Sequence, residues 1–175
     1  MRHKLTIHFL ALCSFLVFGH LVSGDPAAVF KKMAGLAGNW KGTYQWSGGR
    51  SDSGAVQVNY FLTGNGTSLV ENYSYGKDPM MTSVYHMDAG TLRMTHFCAG
   101  NQPRLKAVSF DNDEQVIQFD MVDITNLPEP DAPHVHAVKL ALESENKISV
   151  TFSVTNHGKE SREEIHLERV SDSNT

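Results

Sequence analysis

Apolar and polar residues alternate in short runs along most of the chain after Trp40. This period of two is typical of β-strands with one buried face. Segments rich in Gly, Asn, Asp and Pro separate the runs and have the composition of turns. The pattern predicts ten strands, near 39–47, 55–63, 67–76, 80–88, 91–98, 103–110, 115–122, 133–143, 146–155 and 160–169.

The connections between these strands indicate the fold class. Parallel neighbours need a crossover of roughly a dozen residues or more, usually a helix, and the predicted turns are shorter than that. Antiparallel strands joined by short turns form barrels or sandwiches. We therefore predict an all-β fold, an up-and-down antiparallel β-barrel of about ten strands, with a sandwich as the alternative.

A helical segment, DPAAVFKKMAGLAG, precedes the first predicted strand. Asp25 can cap a helix there, Pro26 suits the first turn, and the apolar residues share one face. The segment predicts a short helical lead-in over 25–37 that can plug one mouth of the barrel. Trp40 follows it, and we expect its ring to close the barrel floor, with the indole N–H on a nearby carbonyl, rather than to contact ligand.

The first 24 residues have the pattern of a secretory signal peptide. Arg2 and Lys4 precede an apolar run that ends in VSG, where small residues favour cleavage. The run is too interrupted for a membrane span, so no integral membrane segment is expected in the mature chain. We predict a signal peptide over 1–24, a β-barrel over 38–170, a disordered tail over 171–175, and a secreted or periplasmic location.

Charge limits the kinds of partner. The full chain has a net charge of −4, and without Arg2 and Lys4 it has 13 basic and 19 acidic residues, a net charge of −6. Nucleic acid and anionic membranes attract proteins that carry basic patches, so we expect no nucleic acid and no anionic membrane as a partner.

Four reactive side chains share the apolar parity of their strands. In TLRMTHFC the leucine and methionine lie on one face, and counting in twos adds His96 and Cys98 to it. In HVHAVKLAL the same count places His134 and His136 on the face of the valine and leucines. We therefore expect all four to face the barrel interior, and His157 and His166 to face solvent.

The segment AGNQPRL, which follows Cys98, adds further polar groups. We expect it to turn the chain and deliver Arg104 to the barrel rim, where its planar fork could bind a carboxylate or form a salt bridge. Buried polar groups need partners, which could be one another, water or a ligand. The predicted ligand-binding residues are His96, Cys98, Asn101, Gln102, Arg104, His134 and His136.

Several chemistries are compatible with this set. His-x-His on one strand is a zinc-ligand spacing that His96 or Cys98 could complete, and haem needs one inward histidine. A nucleophilic site would pair Cys98 with His96. Nothing in the spacing requires any of these, so no catalytic residue or metal ligand is assigned. As the cysteine left in the mature chain, Cys98 can equally be a small buried apolar residue.

The segments LAGNWKGTY, VYHMDAGTLRMTHFCAGNQPRL, HVHAVKLAL and TNHGKESREEIHLERV also carry a family resemblance. The chain resembles bacterial secreted lipocalin-like proteins of the calycin superfamily, of unknown function, and more distantly nitrobindin and fatty-acid-binding proteins. The resemblance implies an up-and-down barrel. Nitrobindin-like barrels bind haem through a late histidine, whereas here His157 lies in a predicted turn and His166 has outward parity.

We therefore predict an exported barrel that binds a small, partly apolar ligand with a polar or anionic end. One alternative is a haem- or metal-binding barrel, or an enzyme using the histidines for acid–base chemistry. Another is a protein that acts through its surface and has a structural polar core.

Overall fold

A computed structural model of the chain describes residues 24–171. It contains one helix and ten strands: α1 (Pro26–Ala34), β1 (Gly38–Gly48), β2 (Ser53–Thr63), β3 (Ser68–Tyr75), β4 (Asp78–Asp88), β5 (Thr91–Phe97), β6 (Gln102–Asp111), β7 (Val116–Thr125), β8 (His134–Ser144), β9 (Lys147–Asn156) and β10 (Lys159–Arg169). All but one residue of the predicted signal peptide, and all but one of the predicted tail, lie outside the described residues.

The ten strands form a closed antiparallel barrel in which each strand pairs with its neighbours in sequence and β1 pairs with β10. This confirms the predicted fold. Each predicted strand end lies within three residues of the observed one. Alternation places aromatic and aliphatic side chains inside, which removes their apolar surface from water.

The helix closes one end of the barrel. Asp25 accepts a hydrogen bond from the backbone N–H of Ala27 and so caps α1, while Val29 and Met33 are buried in the core. Below them, the indole N–H of Trp40 donates to the carbonyl of Leu36 at 2.8 Å. The predicted role of Trp40 in closing the floor is confirmed.

Arg169 fastens the chain end to this closed mouth. Its guanidinium lies 4.4 Å from the centre of the Trp40 ring and donates to the carbonyls of Gly35 and Ala37. The first and last strands are thereby tied to the segment after α1. Within residues 24–171, no helix is long and apolar enough to cross a membrane.

Candidate functional site

A cavity of about 470 Å³ opens at the mouth of the barrel opposite α1. It lies where β1, β3, β5 and β9 end and where β4, β8 and β10 begin. Its walls are mainly apolar and aromatic, with few polar groups among them. The side chains that line it include those of Tyr44, Trp46, Arg50, Tyr75, Cys98, His134, Phe152, Val154 and Glu163.

Glu163 is the buried carboxyl group of the cavity wall. Its residue is 1% exposed, and it accepts a hydrogen bond from the Tyr75 hydroxyl at 2.7 Å. Burial raises the pKa of Glu163, and the hydrogen bond from Tyr75 and the charge of Arg50 partly oppose that rise. Glu163 is not among the predicted ligand-binding residues, although it has the same inward parity as Ile165.

His134 lines the cavity as predicted, although the bulge at His136 breaks the parity count from which that position was inferred. Its Nδ1 lies 2.7 Å from the carbonyl oxygen of Ala132, so this nitrogen carries a proton and donates it. In the neutral ring Nε2 is then free of a proton and can accept a hydrogen bond or bind a metal. The backbone of the segment before β8 therefore fixes the orientation of this imidazole.

Cys98 also lines the cavity and is partly buried. Burial, assisted by the negative charge of Glu163, raises the pKa of the Cys98 thiol to about 11. A reactive cysteine needs the opposite shift, because the thiolate is the nucleophile. The environment of Cys98 therefore opposes the alternative of a cysteine nucleophile.

His96 lies deeper than Cys98 and is fully buried, with the inward orientation that was predicted. Its Nδ1 is 3.0 Å from the Ser83 hydroxyl oxygen, and its ring packs on Phe152 with centroids 5.0 Å apart. Within residues 24–171, Nε2 has no hydrogen-bond partner. Burial lowers the pKa of His96 to about 4, so the ring is neutral at neutral pH.

A second buried carboxyl group, Glu71, lies in the middle of the core and is not among the predicted site residues. It accepts hydrogen bonds from the hydroxyls of Tyr60, Tyr73 and Tyr85 at 2.5, 2.9 and 2.9 Å. Burial raises its pKa, and these donors oppose the rise. Strand parity could have identified it, because Glu71 lies two residues after the buried Leu69 and shares its inward face.

His136 does not face the cavity, which corrects its predicted inward orientation. A β-bulge lies at this residue, because the pairing passes from Val135 with Val154 to Ala137 with Ser153. Val135 therefore takes the inward position. The ring of His136 lies at the surface instead, where its Nε2 is 2.9 Å from Glu160 Oε2, and this hydrogen bond lowers the pKa of Glu160.

Arg104 likewise does not reach the cavity. It is exposed on β6 and forms a two-pronged salt bridge with Asp123 of β7, one arm of which measures 2.9 Å. The neighbours Pro103 and Leu105 take the inward positions. Of the two interactions predicted for Arg104, the salt bridge is the one formed, and its predicted role in binding a ligand is corrected.

Asn101 and Gln102 hold loops together and do not line the cavity. The Asn101 amide donates to the carbonyl of Pro133 at 2.8 Å, and its Oδ1 is buried without a partner among the described residues. Gln102 accepts from the Thr125 hydroxyl at 2.9 Å. These contacts position the segments that carry Cys98 and His134.

The residues of the suggested zinc site are not brought together, because His136 turns away from His134. A different trio, Glu129, Asp131 and His157, has potential ligand atoms within 4.8 Å of one another, but all three are exposed. His157 faces solvent, as predicted. Exposed acidic groups such as its two neighbours are common in proteins without a metal.

Solved structures give the chain its fold relationships. A protein of unknown function from the DUF3598 family, from Nostoc punctiforme PCC 73102, matches 79% of this chain with 16% identity and a TM-score of 0.56. The chain covers 48% of that protein, about half its length. Rv2717c from M. tuberculosis matches 84% of this chain with 15% identity and a TM-score of 0.60, over 100% of its own length.

A scan of protein-family models finds no match to the chain, and a search of curated proteins finds none. The likeness to the two solved structures, at these identities, establishes the fold alone. The chain is a ten-stranded barrel similar in fold to Rv2717c and to part of the DUF3598 protein.

Proposed function

We propose that the chain binds a small, partly apolar molecule in the cavity at the open mouth of the barrel. The observation that carries this proposal is the cavity itself, with its volume of about 470 Å³. Ligand sites are typically clefts of ~300–1,000 Å³ with mostly apolar walls and a few polar groups. Phe152 and Val154 supply apolar contact, while Glu163 and His134 supply polar contact.

The polar end of the ligand meets a different set of groups from the predicted one. Arg104 and His136 are paired with carboxylates away from the cavity. Glu163 and His134 instead offer hydrogen-bond acceptors inside it, next to Cys98. A ligand that donates a hydrogen bond therefore fits this wall.

The proposal includes export of the mature chain, as the predicted signal peptide indicates, and a calycin-like relationship, as the sequence resemblance indicates. Mass spectrometry of the protein recovered from the periplasm or medium tests export. We expect a chain that begins at Asp25. Recovery only from the cytoplasm with the first 24 residues intact would contradict it.

Ligand binding is tested with the neutral fluorescent probe N-phenyl-1-naphthylamine. We expect saturable binding by the unmodified protein, because the probe has apolar rings of suitable size. Val154→Trp should abolish it by filling the cavity. Val122→Trp is the matched control, since Val122 lies on a strand, is 49% exposed and does not line the cavity.

Equal probe binding by both tryptophan variants would place the probe elsewhere and contradict the proposal. Absence of probe binding by every variant would favour the alternative in which the polar interior is structural and the protein acts through its surface. Circular dichroism of each variant checks that the barrel is intact.

Haem binding is a second candidate function, favoured by the orientation of His134. Its Nδ1–H donates to a backbone carbonyl, the usual arrangement of a metal-binding imidazole, and its Nε2 is available beside apolar walls. Titration with haemin should then give a Soret band that His134→Ala removes and that the exposed-site control His157→Ala keeps. An unchanged band in His134→Ala would contradict this candidate.

A further inference from the structure

One wall of the cavity combines three aromatic side chains with a buried carboxyl group. Tyr44, Trp46 and Tyr75 line the cavity together with Glu163. We propose that the ligand is an organic cation, a protonated amine or quaternary ammonium on an apolar body, with its charged head against this wall. The inference rests on the proposed ligand site and specifies the chemical class of its occupant.

Two of the three aromatic rings pack on each other beside the carboxyl group. The ring centroids of Tyr44 and Tyr75 are 4.7 Å apart, with planes inclined by 56°. The Tyr75 hydroxyl donates to Glu163 at 2.7 Å, so this ring and the carboxyl group are in direct contact. Faces of aromatic rings attract cations, most strongly where water is excluded, and a carboxylate beside them adds to the attraction.

A cation of the protein already lies on this wall. The guanidinium carbon of Arg50 is 4.2 Å from the centre of the Trp46 ring. The Nη2 atom of the same guanidinium is 3.2 Å from Asp52 Oδ2. The Arg50 side chain is 55% exposed, in the connection between β1 and β2. This contact shows that a cation fits against the face of the Trp46 ring. Because the arginine side chain is exposed, it can move aside for a ligand.

The charges around the cavity favour a cationic head over an anionic one. Among the described residues that line the cavity, Arg50 and His134 are the basic ones. The charge of Arg50 is compensated by its salt bridge with Asp52. Glu163 accepts a hydrogen bond from Tyr75, with a smaller contribution from Trp46, and makes no salt bridge within residues 24–171. A cation beside it would compensate the cost of burying its charge, whereas an anion would add repulsion.

The test compares three ligands that share a ten-carbon chain: decyltrimethylammonium and decanoate, each below its micelle concentration, and decanol below its solubility limit. Each is titrated against protein loaded with N-phenyl-1-naphthylamine. We expect decyltrimethylammonium to displace the probe at a concentration roughly tenfold lower than decanoate does, because only its head pairs with Glu163. Glu163→Gln should remove this preference. Glu164→Gln should keep it, because the adjacent Glu164 is exposed on the outer face of β10.

Arg50→Gln provides a second variant, in an exposed residue whose loss leaves the core intact. Removal of the resident cation should strengthen displacement by decyltrimethylammonium and weaken displacement by decanoate. Equal displacement by all three compounds, or a preference that survives Glu163→Gln in a folded protein, overturns the cation class and leaves the ligand site standing. A probe that does not bind at all overturns the proposed function itself.

Discussion

Acidification from pH 7 to pH 5 should destabilise the barrel through His96. Burial lowers the pKa of this ring from 6.5 to about 4. Between these values the unfolded chain binds a proton that the folded protein does not, so the free energy of unfolding falls as the pH falls. The full shift corresponds to ~3 kcal/mol, at 1.36 kcal/mol per pKa unit, and about 2 kcal/mol of it is lost between pH 7 and pH 5.

The assay is urea unfolding, followed by tryptophan fluorescence, at both pH values. His96→Gln keeps a polar atom near Ser83 but does not titrate, so its stability should change by ~2 kcal/mol less than that of the unmodified protein. Glu71 acts in the opposite direction. Its raised pKa contributes stability at low pH that is lost as the pH rises, and this contribution is shared by both proteins and cancels in the comparison.

His166→Gln is the matched control, because this histidine is exposed on β10. It should follow the unmodified protein between the two pH values. If His96→Gln also loses as much stability as the unmodified protein, His96 is not held neutral in the core. The account of its burial would then be refuted, whatever the absolute stability of the variant at pH 7.

Three further predictions concern the core, the cavity and the closure of the barrel. Tyr85→Phe should lower the free energy of unfolding by about 1–3 kcal/mol, the cost of leaving a buried acceptor without a partner, because it removes one of the three tyrosine donors to Glu71; a loss below ~0.5 kcal/mol in urea unfolding would contradict this. Cys98 should react with iodoacetamide at pH 8 about 100-fold more slowly than in urea, since its pKa is raised from 9.0 to about 11; equal rates would contradict its burial. Gly42→Ala should prevent folding, judged by circular dichroism, because its Cβ would lie 1.7 Å from the carbonyl oxygen of His166; a folded variant would contradict this close approach of β1 and β10.

The local rules of strand and helix formation account for what could be predicted. The alternation of apolar residues gave all ten strands, and short turns gave their antiparallel order. The cap at Asp25 and the contact of Trp40 with a carbonyl followed from residue chemistry alone. Each of these features depends on residues that are close together in the sequence, so one sequence is enough to predict them.

The site was predicted less well, and for identifiable reasons. Counting in twos placed His96 and Cys98 correctly, but the bulge at His136 shifts the parity of every residue before it in β8 and leaves no trace in the pattern. His134 lines the cavity even so. The partner of Arg104 lies on the next strand, so its identity required the register of β6 with β7.

Counting in twos along β3 and β10 also places Glu71 and Glu163 on the inward face. Each lies two residues from a buried aliphatic residue and so shares its inward face, which identifies a buried carboxyl group as well as it identifies a buried histidine. An acidic residue with inward parity is a strong signal, because a buried carboxyl group needs several partners.

The partners of these two carboxyl groups distinguish structure from function inside the barrel. Glu71 is surrounded by three tyrosine hydroxyls, so its hydrogen-bonding capacity is used within the core. Glu163 has one tyrosine donor and an open cavity beside it. Burial raises the pKa of both, but further donors or a cation can reach only Glu163. The carboxyl group that the core does not satisfy is therefore the one that a ligand would complete.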